Sequence, residues 1–303
     1  MSLFDRAVAS ALPVVPRSVV RRVSAPYIAG ATLDDARRTV TALNDAGKRA
    51  TVDVLGEEIH TADEAKAIAS TYDNVLAAIE GDQLDANISV KLTGLGLKFD
   101  LGLCRSLLEG LVRSAGAQGA LVRIDMEDAT CVDDTLALYR ALRGEGLDNV
   151  GIVLQSYLKR TLADIADLRD VRPSVRLCKG IYVEPRAIAF QDFEVVQRSY
   201  IGCLDALLEG GCRVGIATHD EHLLVESLAR VEALPADGYE FQMLLGVREG
   251  RATELVGAGH AVRIYVPFGR QWYEYSLRRL QENPSMAGVI AKATVARAVG
   301  RKS

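Results

Sequence analysis

Eight short runs rich in β-branched and apolar residues, at 49–55, 87–92, 120–126, 150–155, 174–178, 212–217, 239–244 and 261–266, recur along the chain. Stretches with helical spacing separate them, as at 62–79, 101–115, 133–142, 190–208 and 223–233. Strand and helix in alternation call for a parallel sheet, because a parallel neighbour is reached only through a crossover. Eight such units favour a closed (β/α)8 barrel over an open doubly wound sheet. The open alternative also lacks its signature, since no G-x-G-x-x-G follows the first run. The chain reads as a helical segment at 1–48, expected to cover one end of the barrel, and a catalytic barrel at 49–303.

Charge and cysteine content narrow the partners. A net charge of −4 with no basic run argues against nucleic acid. The five cysteines, Cys104, Cys131, Cys178, Cys203 and Cys212, form no C-x-x-C pair, so neither a disulfide framework nor a structural zinc site is expected. No apolar run is long enough to span a bilayer. Asp5, Arg6, Pro13 and Pro16 make the first residues a poor signal peptide, which places the protein in the cytoplasm, at most touching a membrane surface.

In a barrel of this kind a polar residue at the C-terminal end of a strand has a raised prior for catalysis. Lys91 ends the second run, Asp125 the third and Gln155 the fourth; the fifth carries Arg176, Cys178, Lys179 and Gly180, the sixth runs into Thr218 and His219, and the seventh includes Gln242. Each has a plain alternative. Lys91 can snorkel to solvent, and Glu127 and Asp128 read more simply as caps of the helix that follows. Asp125 shares an inward phase with either Arg123 or Met126, and one of these choices sets it beside Lys91. His219 and His222 are too few for a metal site.

The segment 275–282 puts Tyr275, Arg278, Arg279 and Glu282 at i, i+3, i+4 and i+7, one face of a helix. That face is charged where a core-facing stripe would be apolar. Two adjacent guanidinium forks suit a small carboxylate, and a glutamate one turn beyond Arg278 can hold that arginine in place.

Taken together the blocks resemble the proline dehydrogenases in their short monofunctional bacterial form. The resemblance rests on S-V-K-L at Lys91, R-I-D-M-E at Asp125, V-L-Q-S-Y at Gln155, R-L-C-K-G-I-Y from Arg176 to Tyr182, A-T-H at Thr218 and His219, E-F-Q-M-L at Gln242 and Leu244, R-I-Y-V-P-F-G at Tyr265 and Y-x-x-R-R-x-x-E from Tyr275 to Glu282. It implies a distorted TIM barrel with its final helix over the mouth, noncovalent FAD, and oxidation of L-proline to Δ1-pyrroline-5-carboxylate by hydride transfer to flavin N5. Electrons would pass to a quinone, and the product to a separate Δ1-pyrroline-5-carboxylate dehydrogenase.

Carried over position by position, Lys91, Arg278 and Arg279 would bind the substrate carboxylate, with Glu282 supporting the helix pair. Asp125 would orient these cations, and Tyr265, Tyr275 and Leu244 would pack the pyrrolidine ring. Arg176 would sit by the flavin N5, and Met126, Gln155, Cys178, Lys179, Gly180, Thr218 and His219 would line the rest of the cofactor. The main rival is a class I aldolase using Lys91 or Lys179 as a Schiff-base lysine; a carboxylate-binding barrel without catalysis is the other.

Overall fold

The computed structural model describes residues 20, 24–56, 59–232, 234, 235, 238–273 and 276. Helix α1 (Leu33–Asp45) leads into β1 (Arg49–Val54), α2 (Ala62–Gly81), β2 (Ala86–Lys91), α3 (Leu101–Ala117), β3 (Val122–Asp125), α4 (Val132–Gly144) and β4 (Val150–Gln155). The second half continues with α5 (Thr161–Asp167), β5 (Ser174–Cys178), α6 (Phe193–Glu209), β6 (Arg213–Ala217), α7 (Glu221–Val231), β7 (Tyr239–Leu244), α8 (Glu249–Gly257) and β8 (Val262–Phe268). Every strand pairs in parallel with the next, and β8 pairs with β1 from Arg263 opposite Arg49 to Phe268 opposite Val54, so the sheet closes. The expected closed barrel is therefore the fold; a final helix over the mouth falls on residues outside those described.

Local chemistry accounts for where the helices start. Thr32 accepts from the Asp35 backbone N–H while the Asp35 carboxylate returns to the Thr32 N–H, and Thr61 with Glu64 repeats the arrangement at α2. Both are capping boxes, which satisfy donors the first turn leaves open. Helix α1 packs on the outer wall against β1 and β8. Ahead of it the chain reaches the rim: Ala29 N–H donates to the Pro267 carbonyl at 3.0 Å, and Gly269 N–H to that of Gly30 at 3.0 Å. The described part of the N-terminal segment thus covers one side of the barrel and touches its C-terminal edge.

The two faces of the strands divide by polarity. Val52, Ile88, Val90, Ile124, Leu177, Val214, Ile216 and Phe241 take the outward phase and are buried against the helices, where apolar area removed from water supplies most of the stabilisation. The inward phase can be followed round the barrel by register: Ser89 opposite Arg123, Lys91 opposite Asp125, Arg176 opposite Gly215, Gly215 opposite Glu240 and Gln242 opposite Arg263. Barrels of this class usually fill that interior with Val, Ile and Leu. Here it is polar and buried, and Gly151 and Gly215 make space for it. A Cβ on Gly151 would fall 2.4 Å from Arg123 Nη1, and one on Gly215 would fall 2.4 Å from Gln242 Nε2.

Candidate active site

The C-terminal mouth is built on Asp53, Lys91, Asp125, Arg176 and Tyr265, from five different strands. Strand alternation places Asp125 in phase with Arg123, not Met126, and so beside Lys91. The Lys91 ammonium donates to both oxygens of Asp53, at 3.0 and 2.9 Å, and to the Tyr265 hydroxyl at 3.2 Å. Tyr265 in turn donates to Asp125 Oδ2 at 2.8 Å. On the other oxygen, Asp125 Oδ1 accepts from Ser89 Oγ at 2.6 Å and from Arg176 Nη1 at 2.6 Å. Arg176 also stacks over the Tyr265 ring, with Cζ 5.2 Å from its centroid.

These contacts set the charge state of Asp125. Burial opposes ionisation, yet the guanidinium of Arg176, the ammonium of Lys91 and hydrogen bonds from Ser89 and Tyr265 outweigh it and hold the carboxyl below its usual range. Behind them, the Tyr72 hydroxyl donates to the Ser89 carbonyl at 2.6 Å, and burial pushes that hydroxyl far above the ordinary tyrosine range. Among the described residues, Lys91 lies between two carboxylates, Asp53 and, at 3.7 Å, Asp125. An ammonium held in this way is a poor amine nucleophile, which counts against the Schiff-base alternative at this position.

The other residues singled out in the sequence sit around this cluster. Leu244 faces Tyr265 across the β7–β8 register, and its backbone N–H donates to His219 Nε2 at 3.0 Å. Gln155 neighbours Cys178 on β5 and donates through Nε2 to the Glu127 carbonyl at 2.7 Å. Burial pushes the Cys178 thiol up to about 11, so it is no thiolate at neutral pH. Lys179 pairs with Asp220 at 3.1 Å and lies over the Phe193 ring. Gly180 has φ of +107°. Thr218 is buried and its Oγ1 accepts from the Asp220 N–H, while Met126 packs into the apolar core. His222 belongs to α7, where its backbone N–H meets the Asp220 cap. Tyr275, Arg278, Arg279 and Glu282 lie outside the described residues.

Three features departed from sequence-based expectation. Asp53, fully buried, holds Lys91 and was not singled out; its signal was an acid at the inward phase of Thr51-Val52-Asp53-Val54. Glu240, also buried at an inward position, lies outside the expected set in the same way. Glu127 is not a helix cap: it is buried and accepts from the Thr93 N–H and hydroxyl, tying the end of β3 to the turn after β2. Asp128 does cap, accepting from the Thr130 N–H at the short turn Ala129–Cys131.

A closed barrel whose mouth gathers a lysine, an arginine and their carboxylate partners defines a (β/α)8-barrel enzyme that acts on a small polar molecule. The family model described as proline dehydrogenase matches residues 36–292, and the chain belongs to the proline dehydrogenase family. It is 36% identical over 268 residues to proline dehydrogenase 1 of Bacillus subtilis (strain 168), covering 88% of each chain. To the proline dehydrogenase of Deinococcus radiodurans it is 35% identical over 274 residues, again covering 88% of each. Among solved structures, proline utilization A from Bdellovibrio bacteriovorus inactivated by N-propargylglycine superposes with a TM-score of 0.81 at 24% identity, a likeness of fold. The match covers 86% of this chain and 32% of that one, so this chain spans about a third of the larger protein.

Proposed function

We propose that the protein is an FAD-dependent proline dehydrogenase that oxidises L-proline to Δ1-pyrroline-5-carboxylate. The observation that carries this reading is the Asp53–Lys91–Tyr265–Asp125–Arg176 cluster at the barrel mouth of a chain of this family. It gives a substrate carboxylate a fixed cation and leaves a second cation for the cofactor. In this division of the chain, 1–48 is a helical segment and 49–303 the catalytic barrel.

The residues present fit a flavin. Gln155 Oε1 is buried and accepts no hydrogen bond from the described residues, although its amide nitrogen is engaged, so an acceptor stands ready for a ring N–H. Gly180 is a close-approach position: a Cβ there would fall 2.1 Å from the Tyr157 ring. We assign Arg176 and Gln155 to the isoalloxazine, with Met126, Cys178, Lys179, Gly180, Thr218 and His219 along the rest of the cofactor. FAD, when bound, supplies the two-electron acceptor for the C–H bond next to the ring nitrogen.

The chain's own residues bind and orient. Lys91, with Arg278 and Arg279, holds the carboxylate, and Glu282 steadies Arg278. Asp53 and Asp125 keep Lys91 in place. Tyr265, Tyr275 and Leu244 pack the pyrrolidine ring and exclude water from it. Asp125, held as a carboxylate by its donors, is a weak base, so the amine proton leaves to solvent and the neutral amine is the reactive form. A cation beside the cofactor favours the charge that develops on reduction, which is the work given to Arg176.

Electrons pass on to a quinone and the product to a separate Δ1-pyrroline-5-carboxylate dehydrogenase. The protein acts in the cytoplasm with peripheral membrane contact; no helix among the described residues is long and apolar enough to cross a membrane. The test is an absorbance spectrum of purified protein followed by anaerobic addition of L-proline. A flavin spectrum that bleaches, and does so poorly in Arg278→Ala or Arg279→Ala, is expected. Protein that shows no flavin and takes none up from added FAD would reject the proposal and return Lys179 to consideration as a Schiff-base lysine.

A further inference from the structure

Below the mouth, the polar interior continues as a single file of charge-assisted hydrogen bonds. Arg176 Nε donates to Gln242 Oε1 at 2.5 Å, and Gln242 Nε2 donates to Glu240 Oε1 at 2.7 Å. The same Glu240 oxygen accepts from Arg263 Nε at 2.7 Å, and Arg263 Nη1 is fixed on the Ala50 carbonyl at 2.6 Å. All four side chains are buried, with residue exposures of 4 to 8%.

A primary amide has nearly the same shape after a half-turn, so shape alone does not orient Gln242. Charge does. Flipped, it would turn its N–H groups on the Arg176 guanidinium and its oxygen on the Glu240 carboxylate, two repulsive contacts among buried side chains. Glu240 is a firm anion, since the pull of Arg263 overcomes its burial and draws its carboxyl down to about 2. Gly215 supplies the room, because any side chain there would occupy the space of the Gln242 amide.

We propose that Glu240 is a positioning residue for Arg176: it locks the Gln242 amide with its oxygen toward Arg176 Nε, and this bond, with Nη1 on Asp125, sets the plane of the guanidinium. Nη1 is held by Asp125 and, at 3.2 Å, by Ser89, and the Tyr265 ring lies against the face; the Nε bond fixes the remaining edge. The proposal rests on the reading that Arg176 serves the cofactor, and it assigns a task to residues at the level of the barrel floor that touch neither substrate nor flavin.

The test compares Gln242→Met and Glu240→Met, singly and together, in the FAD-loaded enzyme. Each single variant is expected to lower kcat by about tenfold or more, as misplacement of a reacting-site group does, with KM for proline within about twofold. The flavin midpoint potential should move to more negative values, because a swung guanidinium no longer favours reduction. Simple loss of the Glu240 charge would move it the other way, so a positive shift in Glu240→Met overturns the proposal. The double variant should be no worse than the worse single one; additive losses also overturn it.

Should Glu240→Met fail to fold because Arg263 is left unpaired, Gln242→Met keeps that ion pair and decides alone: unchanged kcat and potential reject the brace. The Arg176 Nε–H resonance in cofactor-free protein gives an independent reading, expected to shift in Gln242→Met and, if unmoved, contradicting the contact. A wild-type protein that binds no flavin would defeat the functional reading while leaving this last measurement intact.

Discussion

Asp53 holds Lys91 with both of its carboxylate oxygens, at 3.0 and 2.9 Å, from a position with no exposure to solvent. The pair joins adjacent strands at the barrel mouth, and the lysine is the more accessible partner, with 14% of its side chain exposed. Among the described residues, Asp53→Ala leaves the more distant Asp125, at 3.7 Å, as the nearest carboxylate to that ammonium. Breaking one side of a buried pair costs about 3–5 kcal/mol, so urea unfolding should show a loss of that order. KM for proline should rise by at least about tenfold, a factor worth 1.4 kcal/mol. A variant with wild-type KM would show that Lys91 needs no support from Asp53.

Arg176→Lys keeps the charge and removes the fork. One ammonium cannot reproduce the separate Nε contact to Gln242 and Nη1 contact to Asp125. The expected result in stopped-flow reduction by proline is a rate down by about tenfold to a hundredfold with little change in proline affinity. A rate within twofold of wild type would remove the guanidinium geometry from the mechanism.

Acid stability should depend on Glu240. Its folded-state carboxyl lies near 2 against an ordinary 4.5, so the contribution is present above about 4.5 and is lost as pH falls toward 2. The span corresponds to about 3 kcal/mol, and Asp125 acts in the same direction. Unfolding free energy measured from pH 6 down to pH 3 should therefore fall more steeply for wild type than for Glu240→Gln. Parallel curves would mean that this carboxylate does not drive the acid limb.

Gly180→Ala tests the cofactor side. With φ of +107° and the Tyr157 ring in the way, a methyl group requires backbone strain of about 1–3 kcal/mol and displacement of the ring. FAD titration by flavin fluorescence is expected to give a dissociation constant raised by at least about tenfold. Unchanged affinity would take Gly180 away from the cofactor site.

Much of this architecture can be read from the chain alone because strand runs such as 150–155, 174–178 and 239–244 have sharp compositional edges. Helices α5 and α8 are harder to see. The first has only seven residues and no capping side chain at Arg160, and the second contains two glycines and follows Arg248 in a left-handed conformation. At the site, Lys91, Asp125 and Arg176 stand out as charges among apolar neighbours. Asp53 and Glu240 carry the same signal, yet their partners are set by barrel closure: Glu240 reaches Arg263 23 residues on, and Asp53 reaches Lys91 38 residues on. The choice of phase for Asp125 likewise needed Ser89, 36 residues earlier, to settle it.

The contact from Lys91 to Tyr265 spans 174 residues of sequence, and Arg263 reaches the Ala50 carbonyl across 213. A barrel still missing its last strand would therefore hold Glu240 without Arg263, and Lys91 and Asp125 without the hydroxyl that joins them. Such an intermediate has a lumen of mismatched charge that water must enter to solvate. Completion of the eighth strand is then the event that pairs these charges, and a chain stalled before that point should behave as a hydrated, loosely ordered species, distinct from a native barrel with one strand missing.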